Sequence, residues 1–414
     1  MPRIHRTASA LAILAAFAAP ALAQEVDADA FGTALTEFLD KQSLEVSHDD
    51  ATLDGSDVVF TNFTIGPKLP EGTEVADTDM RFTFDEVRFQ GVEGAEDGGY
   101  RVASVGRQDV SGEFTNPEDE QGKNETIGYT IGEWGIENLV IPGSDETSRA
   151  ALGLFYDRIF VSDMTASVDG QEVVSLGVAE SAVSGEGPYE IITNVDAVSV
   201  DMTAFTGDEV KAWVEGTGYE TVAGEYESSA TWDTASGDLI ADVNRLTLDG
   251  MGQFDLALAF GGYTQAFAKA LSDASEQMQG ADPQASQAAS MQMLGLMAQL
   301  SFGEFTISYR DGGMADTLLT YYAETDGKTK DELVSETLVV LPAILGQIQA
   351  PELQGEIQEA VTTFLNDPQS ITVSLKPDAP VPAPVLMGAA ASSPAQLAQA
   401  LNARVRANDL GTME

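Results

Sequence analysis

Alternation of apolar and polar side chains, sustained over some two hundred residues, is what most narrows the folds open to this chain. From about residue 50 to 262 the period is two. Met80, Phe82 and Phe84 share one side of a run, as do Ile127, Tyr129 and Ile131, and Tyr226, Ser228, Ala230 and Trp232. Phe254, Leu256, Leu258 and Phe260 give the clearest case. Turn signals punctuate these runs: Asp54-Gly55, Asp97-Gly98-Gly99, Asp169-Gly170, Ser236-Gly237-Asp238 and Asp249-Gly250. Such punctuation predicts an antiparallel meander with one wet face, because two-residue Asp-Gly loops match the twist of paired strands. Residues 226–260 read as three strands joined by two tight turns.

Elsewhere the period lengthens to that of a helix. Phe31, Leu35, Phe38 and Leu39 predict a short leading helix, and Met293, Leu296, Met297 and Leu300 another in an Ala-, Gln- and Met-rich stretch. Phe305, Ile307 and Tyr309 mark one more strand. Val334, Leu338, Leu341, Leu345 and Ile348 form a narrow seam, in which Pro342 is expected to kink or break the helix. Leu353, Ile357, Ala360, Val361 and Phe364 follow, then a strand through Ile371, Val373 and Leu375. Four prolines in 377–384 predict an extended segment, after which Ser393 caps a last helix with Pro394 in its first turn. The expected fold is α+β and β-rich: a long twisted antiparallel meander sheet, open to curving into a groove, with C-terminal amphipathic helices packed on it. The expected organisation is a signal peptide (1–23), an N-terminal β-rich region with its leading helix (24–225), a C-terminal meander plus helices (226–407) and a disordered tail (408–414).

Arg3 and Arg6, the apolar run from Ala10 to Ala19, Pro20 and Ala21-Leu22-Ala23 compose a secretory signal, with cleavage expected before Gln24. The apolar core is well short of the ~20 residues that span a bilayer, so a periplasmic protein with no transmembrane segment in the mature chain is expected. The chain has no Cys, which removes thiolate nucleophiles, Cys-ligated zinc and structural disulfides. Twenty Lys and Arg stand against 67 Asp and Glu, a net charge of −47. Such a field repels phosphate backbones, so no nucleic acid is expected as a partner.

The chemistry-bearing motifs are few. Of two histidines, His5 precedes the cleavage site and His48 stands alone beside Asp49 and Asp50, where it reads as a solvated loop residue. One imidazole supports neither a zinc site nor, without a G-x-S-x-G elbow, a Ser-His-Asp triad. No Ser-x-x-Lys and no phosphate-binding P-loop occur. The Asp27-x-Asp29 start of a calcium loop fails at Phe31 and Phe38. Glu118-Asp119-Glu120 reads as a solvated loop. Met278, Met291, Met293 and Met297 suit core packing or a lid over an acyl chain. Accordingly no catalytic, cofactor-binding or metal-binding residue is assigned, and no cofactor is expected.

Three blocks carry a resemblance: Ala230 to Gly252, Phe305 to Asp311, and Asp367 to Pro382. Through them roughly residues 217–407 resemble a group of uncharacterised exported proteins of alphaproteobacteria, and the layered strands are remotely similar to AsmA-like envelope proteins, a resemblance that implies lipid handling. Together these features predict a non-enzymatic periplasmic envelope protein that binds lipid or another apolar ligand, with lipid or envelope proteins as partners. A carboxylate-based, glycosidase-like hydrolase and a scaffold for other envelope proteins are the alternatives.

Overall fold

The computed structural model describes residues 26–68, 81–116, 125–143, 149, 153–205, 207–279 and 283–409. The expected signal peptide, Met80, the acidic run 118–120 and the tail beyond Asp409 lie outside the described residues. The alternating stretch forms strands β1 (Leu44–Ser47), β2 (Ala51–Asp54), β3 (Asp57–Pro67), β4 (Phe82–Gly94), β5 (Tyr100–Asn116), β6 (Glu125–Ile141), β7 (Arg158–Val168), β8 (Gln171–Ser184), β9 (Tyr189–Asp201), β10 (Thr221–Asp233), β11 (Asp238–Leu248) and β12 (Gly252–Gly261). β13 (Ser301–Asp311), β14 (Ser370–Leu375), β15 (Val381–Pro382) and β16 (Ala403–Ala407) complete one open antiparallel sheet of 16 strands. Its order follows the chain: β1, then β3 through β14, then β16, with β2 also on β3 and β15 on β13. Residues 225 and 226 both lie in β10, which pairs with β9 and β11, so the sheet runs unbroken there.

One Asp-Gly turn is built as predicted, and at Asp54-Gly55, Asp97-Gly98 and Asp249-Gly250 only the glycine takes positive φ. Asp169 and Gly170, between β7 and β8, have φ of 52° and 83°, the two positive values a type I′ turn requires. Asn62, Asp109 and Asp163 adopt positive φ inside strands, where the ladder skips a residue. The partner strand skips one residue at each of these points, so the register is kept; true bulges, with a register shift, occur at Ser229/Ala230 and Ala259/Phe260.

Helices gather in the C-terminal half. α1 (Ala28–Lys41) precedes it; α2 (Asp208–Thr217), α3 (Gln265–Gln279), α4 (Pro283–Met297), α5 (Met314–Thr325), α6 (Lys330–Leu345), α7 (Pro351–Asn366), α8 (Ala383–Ser392) and α9 (Pro394–Ala400) belong to it. Asp27 caps α1 by accepting from Ala30 N–H at 2.8 Å, which gives that carboxylate a structural task. Thr329 and Glu332 form a reciprocal capping box on α6. Phe31, Leu35 and Phe38 of α1 lie in the main core with Phe60, Phe89, Val102 and Ile141. Phe31 meets the rings of Phe89 and Tyr100 edge-on, at 5.4 and 5.2 Å.

Of the kink or break expected at Pro342, the break is absent, since α6 continues through it to Leu345. Three further expectations are corrected. The proline segment is only partly extended: Val381-Pro382 pair with Phe302 and Ser301, and Pro384 falls in the first turn of α8, where a missing N–H is tolerated. Asn408 is not frayed, since its amide bonds Gln369 N–H, Ser370 N–H and the Asp367 carbonyl. His48 is half-buried, its ring 4.5 Å from that of Phe60, and its Nδ1 is buried without a partner among the described residues.

Candidate functional site

Cross-strand partners share a face, so the strand registers show which side chains meet on each side of the sheet. One side is covered near its ends: α1 packs on Phe60 and Phe89, and Phe364 of α7 meets the Tyr309 ring edge-on at 6.1 Å. On that side an unbroken apolar and aromatic row crosses the sheet. It reads Trp134, Val161, Ala179, Val195, Tyr226, Leu246, Phe254, Tyr309, Ile371 and Ala407, one residue from each of β6 to β14 and then β16. A second row runs from β8: Val183, Ile191, Ala230, Ala241, Leu258, Phe305, Leu375 and Ala403.

Between the rows lies a polar stripe. Ser181, Thr193, Ser228 and Asn244 pair in that order across β8 to β11. Thr193 Oγ1 donates to Ser181 Oγ at 3.1 Å, and Tyr156 Oη donates to the same oxygen at 3.2 Å. Asn244 Nδ2 donates to the Leu256 carbonyl at 2.9 Å. All four stripe residues are half-buried. Toward the C-terminal edge the same line turns apolar again, through Leu256, Ile307, Val373 and Val405.

Neither row, nor the stripe, holds a charged residue. The ion pairs of the central strands lie on the opposite side, where Arg158 pairs with Glu137 and Glu180, and Arg245 with Glu227 and Asp255; on the row side, Asp311 at the end of β13 accepts a hydrogen bond from Tyr309 Oη at 2.6 Å. Burial pushes the Tyr309 phenol well above its usual range, so the largest polar group at the C-terminal end of the first row stays neutral. The apolar side is nevertheless open in places: Leu246 and Ile307 keep 38% and 42% of their surface accessible. Apolar walls with a few neutral hydrogen-bonding groups between them are the usual make-up of a small-molecule site.

A family model described as "Uncharacterized protein" matches residues 245–408. The matched span begins in β11 at Arg245 and ends at Asn408, so it holds the C-terminal half of both rows and leaves out Ser181, Thr193, Ser228 and Asn244. It overlaps the region where the sequence resemblance lies. No curated protein matches the chain.

Other centres offer less. Among the described residues the one buried charged side chain is Asp255, held by Arg245 Nε and Gln253 Nε2, each at 2.7 Å. Three or more His, Cys, Asp or Glu side chains do not cluster as metal ligands among the described residues. No described helix is long and apolar enough to cross a membrane. Met291 is exposed on α4, whereas Met293 and Met297 are half-buried. The polar stripe is scarcely marked in the sequence. Its one signal was Ser228, a polar residue on a side otherwise set by Tyr226, Ala230 and Trp232.

Proposed function

We propose that the chain is a non-enzymatic periplasmic envelope protein that binds a lipid or similar apolar molecule along the two rows. A neutral polar linkage of that ligand, such as an ester or hydroxyl, lies against Ser181, Thr193, Ser228 and Asn244. The single observation that carries this reading is the pair of charge-free apolar rows, separated only by hydroxyl and amide groups, in a chain of net charge −47. An anionic molecule gains nothing from such a lining, whereas acyl methylenes gain about 0.8 kcal/mol each on burial. The periplasmic assignment rests on the signal-like N-terminus, and lipid handling agrees with the resemblance to exported alphaproteobacterial and AsmA-like proteins.

Native mass spectrometry of the full chain, followed by organic extraction, tests the reading. Co-purified lipid is expected, lost in Leu246→Glu and Ile307→Glu and retained in Ile240→Glu, whose side chain is 39% exposed on the opposite side. A lipid-free wild-type protein that also fails to take up a fluorescent fatty acid overturns it, as does equal loss in all three variants.

A further inference from the structure

Three stretches of this acidic chain carry no charged residue: between Asp282 and Glu304, between Glu336 and Glu352, and between Asp378 and Arg404. They supply most of α4, the C-terminal half of α6, and α8 with α9. The fold gathers them at one end of the sheet. Ala383, the first residue of α8, donates its N–H to the Leu300 carbonyl at 2.9 Å, directly after α4, and β15 pairs with the first two residues of β13. α9 packs on α8 and α7, and α6 leads through residues 346–350 into the N-terminus of α7 beside α9. The same end is reached by Leu375 of β14 and Ala403 of β16.

This end is also apolar and open. Val339 is 79% exposed and Met291 71%; Val340, Ile344, Val385 and Met387 are each at least half exposed. On α6 the exposed residues lie away from the seam of Val334 and Leu345, so both sides of the helix are apolar there. α8 (APVLMGAAAS) is apolar all round, yet none of its residues is buried. A helix of that composition belongs in a core or in lipid.

We propose that this end docks the protein on a lipid bilayer surface, with the exposed side chains of α6 and α8 entering the acyl boundary. Charge decides between occupants. The remainder of the molecule repels anionic headgroups, and the uncharged segments that carry the exposed side chains match a hydrocarbon layer, with Lys376 and Arg404 beside them engaged by Glu304 and Glu356. A bilayer leaves no complementary charge unpaired there. The inference stands apart from ligand binding on the sheet.

Flotation of the full chain with phosphatidylcholine vesicles tests it. Binding is expected, weaker on vesicles of equal parts phosphatidylcholine and phosphatidylglycerol at low salt and restored as salt screens the repulsion. Val339→Glu and Met387→Glu, both at exposed sites and checked for unchanged circular dichroism, are expected to lower binding at least about tenfold, given the cost of placing a charge in lipid. Leu246→Glu is expected to float like the wild type, which separates this inference from the ligand reading. Absence of flotation, flotation undiminished in both variants, or a concentration-dependent dimer that the variants dissolve would each overturn the proposal, the last by assigning the surface to a second copy.

Discussion

Arg245 of β11 and Asp255 of β12 sit directly opposite each other, with Nε donating to Oδ1 at 2.7 Å while a second nitrogen reaches Glu227 on β10. Asp255 is 8% exposed and takes a further bond from Gln253. Removing the guanidinium strands a buried carboxylate, whereas removing both charges does not. Arg245→Met is therefore expected to cost about 1–3 kcal/mol, discounted because Arg245 itself is partly exposed. The double variant Arg245→Met/Asp255→Leu is expected to recover most of that. Urea midpoints measure both, and an unchanged midpoint for Arg245→Met would rule out the account.

Gly216 of α2 lies against the Tyr321 ring of α5, and a β-carbon there would stand 2.2 Å from Tyr321 Cδ2. Gly216→Ala gains about 1 kcal/mol of helix propensity but overpacks the contact by about 1–3 kcal/mol, so a net loss of about 1 kcal/mol is expected. In a Tyr321→Ala background the same change is expected to stabilise. Trp213, in the same helix and 5.7 Å from the Tyr219 ring, gives the fluorescence readout.

Asp233 closes the β10–β11 turn by accepting from Ser236 and Ala235 N–H, which hold its carboxyl below the usual carboxylate range. Asp57 is held down in the same way, first by Gly91 N–H and then by Arg88. A depressed folded value means stability that is present above the unfolded pKa, near 3.9, and lost as pH falls through the folded one. Acid sensitivity below about pH 4 is expected to shrink in Asp233→Asn. Equal slopes of urea midpoint against pH would contradict this.

Self-repulsion at −47 is expected to weaken the fold at low ionic strength, so the urea midpoint should climb as sodium chloride screens it. A midpoint independent of salt between low and physiological ionic strength would show the charges to be too dispersed to matter.

The meander was legible because its two codes are local. Period-two runs such as Phe254 to Phe260 set the faces, and Asp169-Gly170 or Asp249-Gly250 set the loops. What escaped depends on distant partners. Ala403–Ala407 reads as helix or tail until Ile371 to Leu375 pair with it across the intervening α8 and α9. α2 hides between strands because DEVKAWVEGT is short and has only one buried residue, Val214. The two apolar rows are implicit in the alternation, but Ser181, Thr193, Ser228 and Asn244 become neighbours only through three strand registers. His48 looked solvated because two acids adjoin it, whereas Phe60 and Gly32 decide its burial.

A sheet whose strands are stacked almost in chain order can be assembled by simple accretion. From β3 to β12 each new strand finds its template already in place, so long searches for distant segments are avoided there. The aromatic nucleus around Phe31 and Phe60 belongs to the part that is synthesised first. The longest search falls at the C-terminal edge, where β13 waits across α5, α6 and α7 for β14, and β14 then waits across α8 and α9 for β16.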